Sequence, residues 1–125
     1  MTAITSFVTT VLDCREPAVL AEFYSELTGA SIVRAEDDWY QLAGQPGGWA
    51  LAFQLAPDHT PPQWPGAEHP QQFHLDLDVA DLDAAEARVL AIGARKHELQ
   101  PGTTFRVFLD PAGHPFCLCL ASDPS

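Results

Sequence analysis

The sequence predicts an α+β fold built from two βαβββ modules, and three observations support this prediction. Apolar residues change period along the chain, from the alternation typical of strands to the three- and four-residue spacing typical of helices. This order of elements occurs twice, because Thr9 aligns with His74 and Asp13 with Asp78, an offset of 65 residues. A stretch at 57–70, which contains five of the eleven prolines, separates the two copies as a linker.

The first module covers about residues 1–56. It begins with a predicted strand at 7–14, which is rich in β-branched residues. Pro17 suits the first turn of a helix, and Gly29 ends the helical stripe formed by Leu20, Phe23, Tyr24 and Leu27. Charged or Gly/Pro turns then separate three short predicted strands, at 31–33, 39–42 and 49–56.

The second module covers about residues 71–125 in the same order. Apolar and polar residues alternate over 73–79, which predicts a half-buried strand. Asp81 is a natural N-cap, and Gly93 ends the helical stripe formed by Leu82, Ala85, Val89 and Ile92. Short strands are predicted at 95–98, 104–109 and 116–120. We expect the whole chain, 1–125, to form one domain, since 125 residues are too few for two ordinary ones.

Composition excludes several classes of function. A net charge of −11, with no basic cluster, argues against nucleic acid as a partner. The apolar runs are too short to span a membrane. The first residues, MTAITSF, lack the basic and apolar regions of a secretory signal, and three cysteines fit reduced thiols, so we expect a cytoplasmic protein.

Three segments carry a resemblance to a known family: LDCREPAVLAEFYSELTGA, FHLDLDVADLDAAEARVLAIGA and DPAGHPFCLCL. The chain resembles the vicinal oxygen chelate superfamily of glyoxalases and bleomycin resistance proteins, and more narrowly the glyoxalase-like domains. The resemblance covers nearly the whole chain. It implies that each module curls its strands into half of an open-barrel mixed sheet, with the helices outside and a ligand on the concave face.

The resemblance also implies four metal-ligand positions, which the two halves of this chain place at Thr9, Gln54, His74 and Cys117. Only His74 keeps the usual identity, whereas Thr9 replaces a histidine and Cys117 replaces a glutamate. The set is therefore degenerate, and we expect no cofactor. A divalent metal, if one is bound, would have His74, Gln54 and Cys117 as its ligands.

The segment DPAGHPFCLCL predicts a type I turn at Asp110–Gly113 followed by a strand. Cys117 and Cys119 then share one face of that strand. Residues two apart on a strand are separated by about 7 Å, whereas the Cβ atoms of a disulfide are about 4 Å apart, so these cysteines cannot form a disulfide. They are either unreactive buried thiols or, for Cys117, part of a pocket.

His74 shares a face of its predicted strand with Asp76 and Asp78. This face is either the solvated side of an antiparallel sheet or the lining of a polar pocket. Trp64, in the linker, either closes a pocket or covers the end of the core. His114, beside the predicted turn, either contacts a ligand or stabilises the turn.

The sequence therefore predicts a small-molecule-binding protein whose ligand is bound or modified in the concave cavity, with His74 as the catalytic candidate. The expected ligand-binding residues are Thr9, Gln54, His74, Cys117, Trp64 and His114. The alternative is a metal-dependent lyase, isomerase or dioxygenase. A third interpretation is a protein–protein module that keeps the fold only for dimerisation. We expect a homodimer, because small curled sheets leave strand edges to cover.

Overall fold

The computed structural model describes residues 4–121 and confirms the α+β fold with its two βαβββ units. The chain divides into two compact units after His59, within the predicted linker. The first unit contains β1 (Thr10–Cys14), α1 (Pro17–Thr28), β2 (Ile32–Glu36), β3 (Trp39–Leu42) and β4 (Leu51–Leu55). The second contains β5 (Leu75–Val79), α2 (Leu82–Ala91), β6 (Arg95–Lys96), β7 (Phe105–Leu109) and β8 (Pro115–Leu120).

The first unit is a four-stranded mixed sheet, in the order β1-β4-β3-β2, with α1 on one face. β1 and β4 are parallel, and the other neighbours are antiparallel. As predicted, Pro17 begins α1 and Gly29, with φ of +79°, ends it in the left-handed region. The ring of Tyr24 stacks on that of Phe53 with the centroids 5.6 Å apart, which anchors α1 to the sheet.

The second unit repeats this topology, with strand order β5-β8-β7-β6 and α2 beside β8 and β6. Asp81 is the N-cap of α2, as predicted, and its carboxylate accepts a hydrogen bond from Ala84 N at 3.1 Å. Phe108 and Phe116 are fully buried, and their rings stack with the centroids 5.7 Å apart. The apolar core of this unit therefore lies on the side of β8 that faces away from Cys117.

Two predicted strands begin too early. β1 begins at Thr10 and β5 at Leu75, so Thr9 and His74 precede their strands instead of lying within them. Phe73, an apolar residue at the start of the predicted strand at 73–79, also precedes β5 and is 56% exposed. The alternating sequence pattern begins earlier in the chain than the pairing with a neighbouring strand. Each strand starts only where that neighbour can accept and donate hydrogen bonds.

The strand register corrects one part of the internal alignment. In the second unit Cys117 pairs with Asp76 and Cys119 with Asp78. The residues 65 positions earlier pair in the same way in the first unit, Ala52 with Val11 and Gln54 with Asp13. Gln54 therefore corresponds to Cys119, and the predicted match of Gln54 with Cys117 is wrong by two residues. A shift of two keeps every side chain on the same face, so alternation alone could not detect it.

The predicted turn before β8 is present, and a buried carboxylate organises it. Gly113 N donates to Asp110 O at 2.8 Å, which closes the turn. The Asp110 side chain has no exposed surface, and its Oδ1 accepts from Ala112 N at 2.9 Å and from His114 N at 3.0 Å. His114 Nδ1 lies 2.8 Å from Asp110 Oδ2. The turn thus positions the start of β8 through hydrogen bonds to one side chain.

We predict that Asp110→Ala lowers the free energy of unfolding by about 2–3 kcal/mol, because it leaves buried N–H groups without an acceptor. Urea denaturation monitored by circular dichroism measures this loss. Asp58→Ala, at an exposed aspartate, is the matched control and should change stability by less than about 0.5 kcal/mol. Equal stability of the two variants would show that the Asp110 carboxylate does not hold the turn.

Candidate functional site

The second unit contains a cavity of about 310 Å³ on the face of its sheet that points away from α2. Its apolar wall consists of Trp64, Pro101, Phe105, Val107 and Pro115. Its polar and sulfur-containing side chains are Gln71, His74, Asp76, Cys117 and Cys119. A cavity of this size with a few converging polar groups is typical of a site for a small organic molecule.

Three adjacent strands fix the positions of most of these side chains. Cys117 on β8 pairs with Asp76 on β5 and with Val107 on β7, so the three share one face at one level of the sheet. Phe105 pairs with Cys119 at the next level. A site built on hydrogen-bonded strands holds its groups more rigidly than one built on loops, which favours a preorganised pocket.

His74, Asp76 and Cys117 form a cluster in this cavity. His74 Nε2 lies 3.0 Å from Asp76 Oδ1. One nitrogen, oxygen or sulfur atom from each of the three side chains lies within 4.8 Å of the others. The side chains of His74 and Asp76 are 38% and 61% exposed, whereas Cys117 is buried. The cluster therefore extends from the solvent-accessible mouth of the cavity to its floor.

The two thiols of the cavity are held in their neutral form. Burial, with a smaller contribution from the negative charge of Asp76, raises the pKa of Cys117 to about 12. Burial also raises the pKa of Cys119, with a further contribution from Asp76 and then Asp78. Cys117 and Cys119 are both present as thiols. Because the thiolate is the nucleophile, neither cavity cysteine is suited to covalent catalysis at neutral pH.

Gln71 is a cavity residue that the sequence did not suggest. Its Oε1 is buried and has no hydrogen-bond partner among the described residues. Gln71 lies between the linker and β5, where no periodic pattern marks it. A buried acceptor without a partner costs free energy, so this atom is a natural point of contact for a donor group on a ligand.

The predicted site residues fall into three groups. His74, Cys117 and Trp64 line the cavity, and the Trp64 ring packs edge-on against His97 with the centroids 5.1 Å apart. His114 is bound to Asp110 and does not line the cavity, so its structural contacts agree with the turn-stabilising interpretation. Thr9 and Gln54 belong to the first unit and are not among the cavity residues.

The cluster of potential metal ligands contains one residue that the predicted set did not name. This residue is Asp76, which lies beside His74 and Cys117. Asp76 is the direct strand partner of Cys117, whereas Gln54 occupies the position equivalent to Cys119. The sequence did indicate Asp76, because Asp76 and His74 are two residues apart and therefore share one face of the predicted strand.

These features define a small α+β protein with a repeated βαβββ topology and a cavity on the open face of a sheet. The profile of the Glyoxalase-like domain family matches residues 9–119, and the chain belongs to this family. The match spans both units, and it confirms the predicted relationship to glyoxalases and bleomycin resistance proteins. A comparison with curated proteins gives no match.

Solved structures of low sequence identity share the fold. A glyoxalase/bleomycin resistance protein/dioxygenase family enzyme from Burkholderia phytofirmans is 16% identical, with a TM-score of 0.67 over 88% of this chain and 94% of that chain. A glyoxalase-related enzyme from Fulvimarina pelagi is 18% identical, with a TM-score of 0.68 over 94% and 89%. An antibiotic-binding protein from a Streptomyces species is 21% identical, with a TM-score of 0.63 over 98% and 100%.

Within residues 4–121, neither α1 nor α2 has the length and apolar character that crossing a membrane requires.

We predict that Cys117 reacts very slowly with iodoacetamide in the folded protein. With a pKa of about 12, only about one thiol in ten thousand is ionised at pH 8. Peptide mapping by mass spectrometry after timed alkylation gives the rate at Cys117, with urea-unfolded protein as the reference. Asp76→Asn should raise that rate, since it removes a negative charge beside the sulfur. Equal rates in folded and unfolded protein would contradict this assignment.

Proposed function

We propose that the protein binds a small organic molecule in the cavity of its second unit, without a metal. The observation that carries this proposal is the convergence of His74, Asp76 and Gln71 on an apolar wall that includes Trp64 and Phe105. The apolar wall supplies burial of ligand surface, and the few polar groups supply orientation. The fold shared with the Streptomyces antibiotic-binding protein agrees with a binding role.

His74 is the proposed catalytic residue if the ligand is also modified. A neutral imidazole can accept a proton at one ring nitrogen while the other donates a hydrogen bond. The carboxylate of Asp76, 3.0 Å from Nε2, would orient the ring by accepting that hydrogen bond. The proposed step is a proton transfer to or from a ligand held against Trp64 and Phe105.

We predict that His74→Ala weakens ligand binding by about 1–3 kcal/mol, the contribution of one hydrogen bond, and leaves the fold intact. The fold should survive because His74 precedes β5 and the core lies on the opposite face. A library of small organic fragments screened by ¹H–¹⁵N NMR supplies the ligand, calorimetry gives its affinity, and a melting curve reports stability. His69→Ala, at an exposed histidine outside the cavity, is the matched control.

Two results would count against this site. A His74→Ala protein that melts much lower yet binds the fragment unchanged would make His74 a structural residue. A screen in which no fragment shifts the resonances of cavity residues would favour the interpretation of the chain as a dimerisation module.

The second candidate function is a metal-dependent lyase, isomerase or dioxygenase, and the His74–Asp76–Cys117 cluster is the observation that favours it. Its nitrogen, oxygen and sulfur donors suit a borderline ion such as Zn²⁺. A bound metal would polarise a carbonyl oxygen of the substrate or lower the pKa of a water molecule. The Cys117 thiol, whose pKa is about 12, would have to lose its proton when a metal binds. This requirement would lower the affinity of the three side chains for the ion.

Elemental analysis of protein purified without chelator separates the two candidates. Stoichiometric metal that disappears together with activity in His74→Ala would establish the metal-dependent enzyme. Ligand binding by metal-free protein would support the first proposal.

We also propose a cytoplasmic homodimer. The thiols of Cys117 and Cys119 fit a reducing compartment. All five residues of β2, which forms one edge of the first sheet, are exposed, and they include Val33 at 60%. Phe7 and Phe73 are 74% and 56% exposed. Exposed apolar side chains and an open strand edge favour association with a second copy.

We predict that light scattering returns a mass of twice 13.6 kDa. Val33→Lys should shift the equilibrium towards the monomer, since a charge on an edge strand opposes pairing. A mass near 13.6 kDa over a wide range of concentrations would reject the dimer.

A further inference from the structure

We propose that the ligand of the cavity is a small organic cation, a protonated amine attached to an aromatic body. This inference rests on the proposed binding function and adds the chemical class of the ligand. It follows from three features of the second unit: the charge of the cavity lining, the placement of the basic side chains, and the aromatic and hydrogen-bonding groups left available to a ligand.

The lining of the cavity is acidic. Asp76 is the carboxylate among its ten residues, and none of the ten is lysine or arginine. Asp78 lies on the same face one level further along β5, opposite Cys119. Asp76 and Asp78 therefore place two carboxylates on the same face of β5.

The basic side chains of the second unit lie elsewhere. Arg106 sits between Phe105 and Val107 on β7, so alternation turns it to the opposite face, towards α2. There its guanidinium is 2.8 Å from Asp83 Oδ1 and 3.2 Å from Glu86 Oε1. Lys96 Nζ lies 3.0 Å from the same Glu86 oxygen. Arg88 and Arg95 are exposed and do not line the cavity. An anionic ligand would therefore meet the carboxylate of Asp76, with no lysine or arginine in the lining to offset its charge.

The remaining groups suit an aromatic amine. Trp64 and Phe105 provide ring faces and apolar area for a flat body, and an ammonium group close to such rings gains a cation–π attraction. Gln71 Oε1 is a buried acceptor that needs a donor. An ammonium group has three N–H donors, enough to serve both Gln71 and Asp76.

Three probes of similar size test the charge preference on the full chain: 2-phenylethylamine, 2-phenylethanol and 3-phenylpropionate. We expect NMR titration at pH 7.5 to show the amine binding about tenfold more tightly than the alcohol, and the carboxylate binding most weakly. Added salt should weaken binding of the amine and leave binding of the alcohol unchanged, because salt screens only the interaction between charges. An alcohol or carboxylate that binds as tightly as the amine would overturn the proposal.

Asp76→Asn should remove most of the preference for the amine over the alcohol and keep the cavity nearly the same size. Asp83→Asn is the matched control, because it removes the same charge from the α2 side of the sheet. It should leave the ratio of the two affinities unchanged. A preference that persists in Asp76→Asn, or that falls equally in both variants, would refute the role of the cavity carboxylate.

The same titrations distinguish this inference from the binding function on which it rests. If the alcohol or the carboxylate shifts the resonances of cavity residues as strongly as the amine does, the cavity binds small molecules but the assignment of a cation is wrong. If neither these probes nor the fragment library shifts those resonances, both the ligand class and the proposed function are wrong.

Discussion

In each unit the first strand pairs in parallel with the last, and the register of this pairing decides which side chains become neighbours. In the second unit it sets Asp76 beside Cys117. The burial of that sulfur, the raised pKa of the thiol and the place of the carboxylate in the cavity all depend on this one pairing. The turn organised by the buried carboxylate of Asp110 determines where β8 begins, and so it supports the register from outside the cavity.

The two faces of the sheet in the second unit have different surroundings. One face packs against α2 and carries the stacked rings of Phe108 and Phe116, together with the pairing of Arg106 with acidic residues of α2. The other face is left for the cavity. Strand alternation makes this division possible, because neighbouring residues of β7 contribute in turn to the core and to the cavity wall. Changes in the cavity can thus alter ligand binding with little effect on the core.

The family relationship establishes the fold, and the cavity of this chain is distinguished by a thiol and a carboxylate on neighbouring strands. The thiol of Cys117 lies opposite the carboxylate of Asp76 on the neighbouring strand. Cys117 is buried, whereas 61% of the Asp76 side chain is exposed, so the charged member of the pair is the one that solvent reaches.

The two βαβββ units, the helix ends at Pro17, Gly29 and Asp81, and the turn at Asp110 could all be predicted from the sequence. These features depend on local spacing, on alternation and on the conformational preferences of proline and glycine, which act within short segments. Only the folded structure shows the register that aligns Gln54 with Cys119, the starts of β1 and β5, and the place of Gln71 in the cavity. A shift of two residues preserves alternation, and a linker residue has no periodic signal, so only the hydrogen bonds between distant segments could fix them.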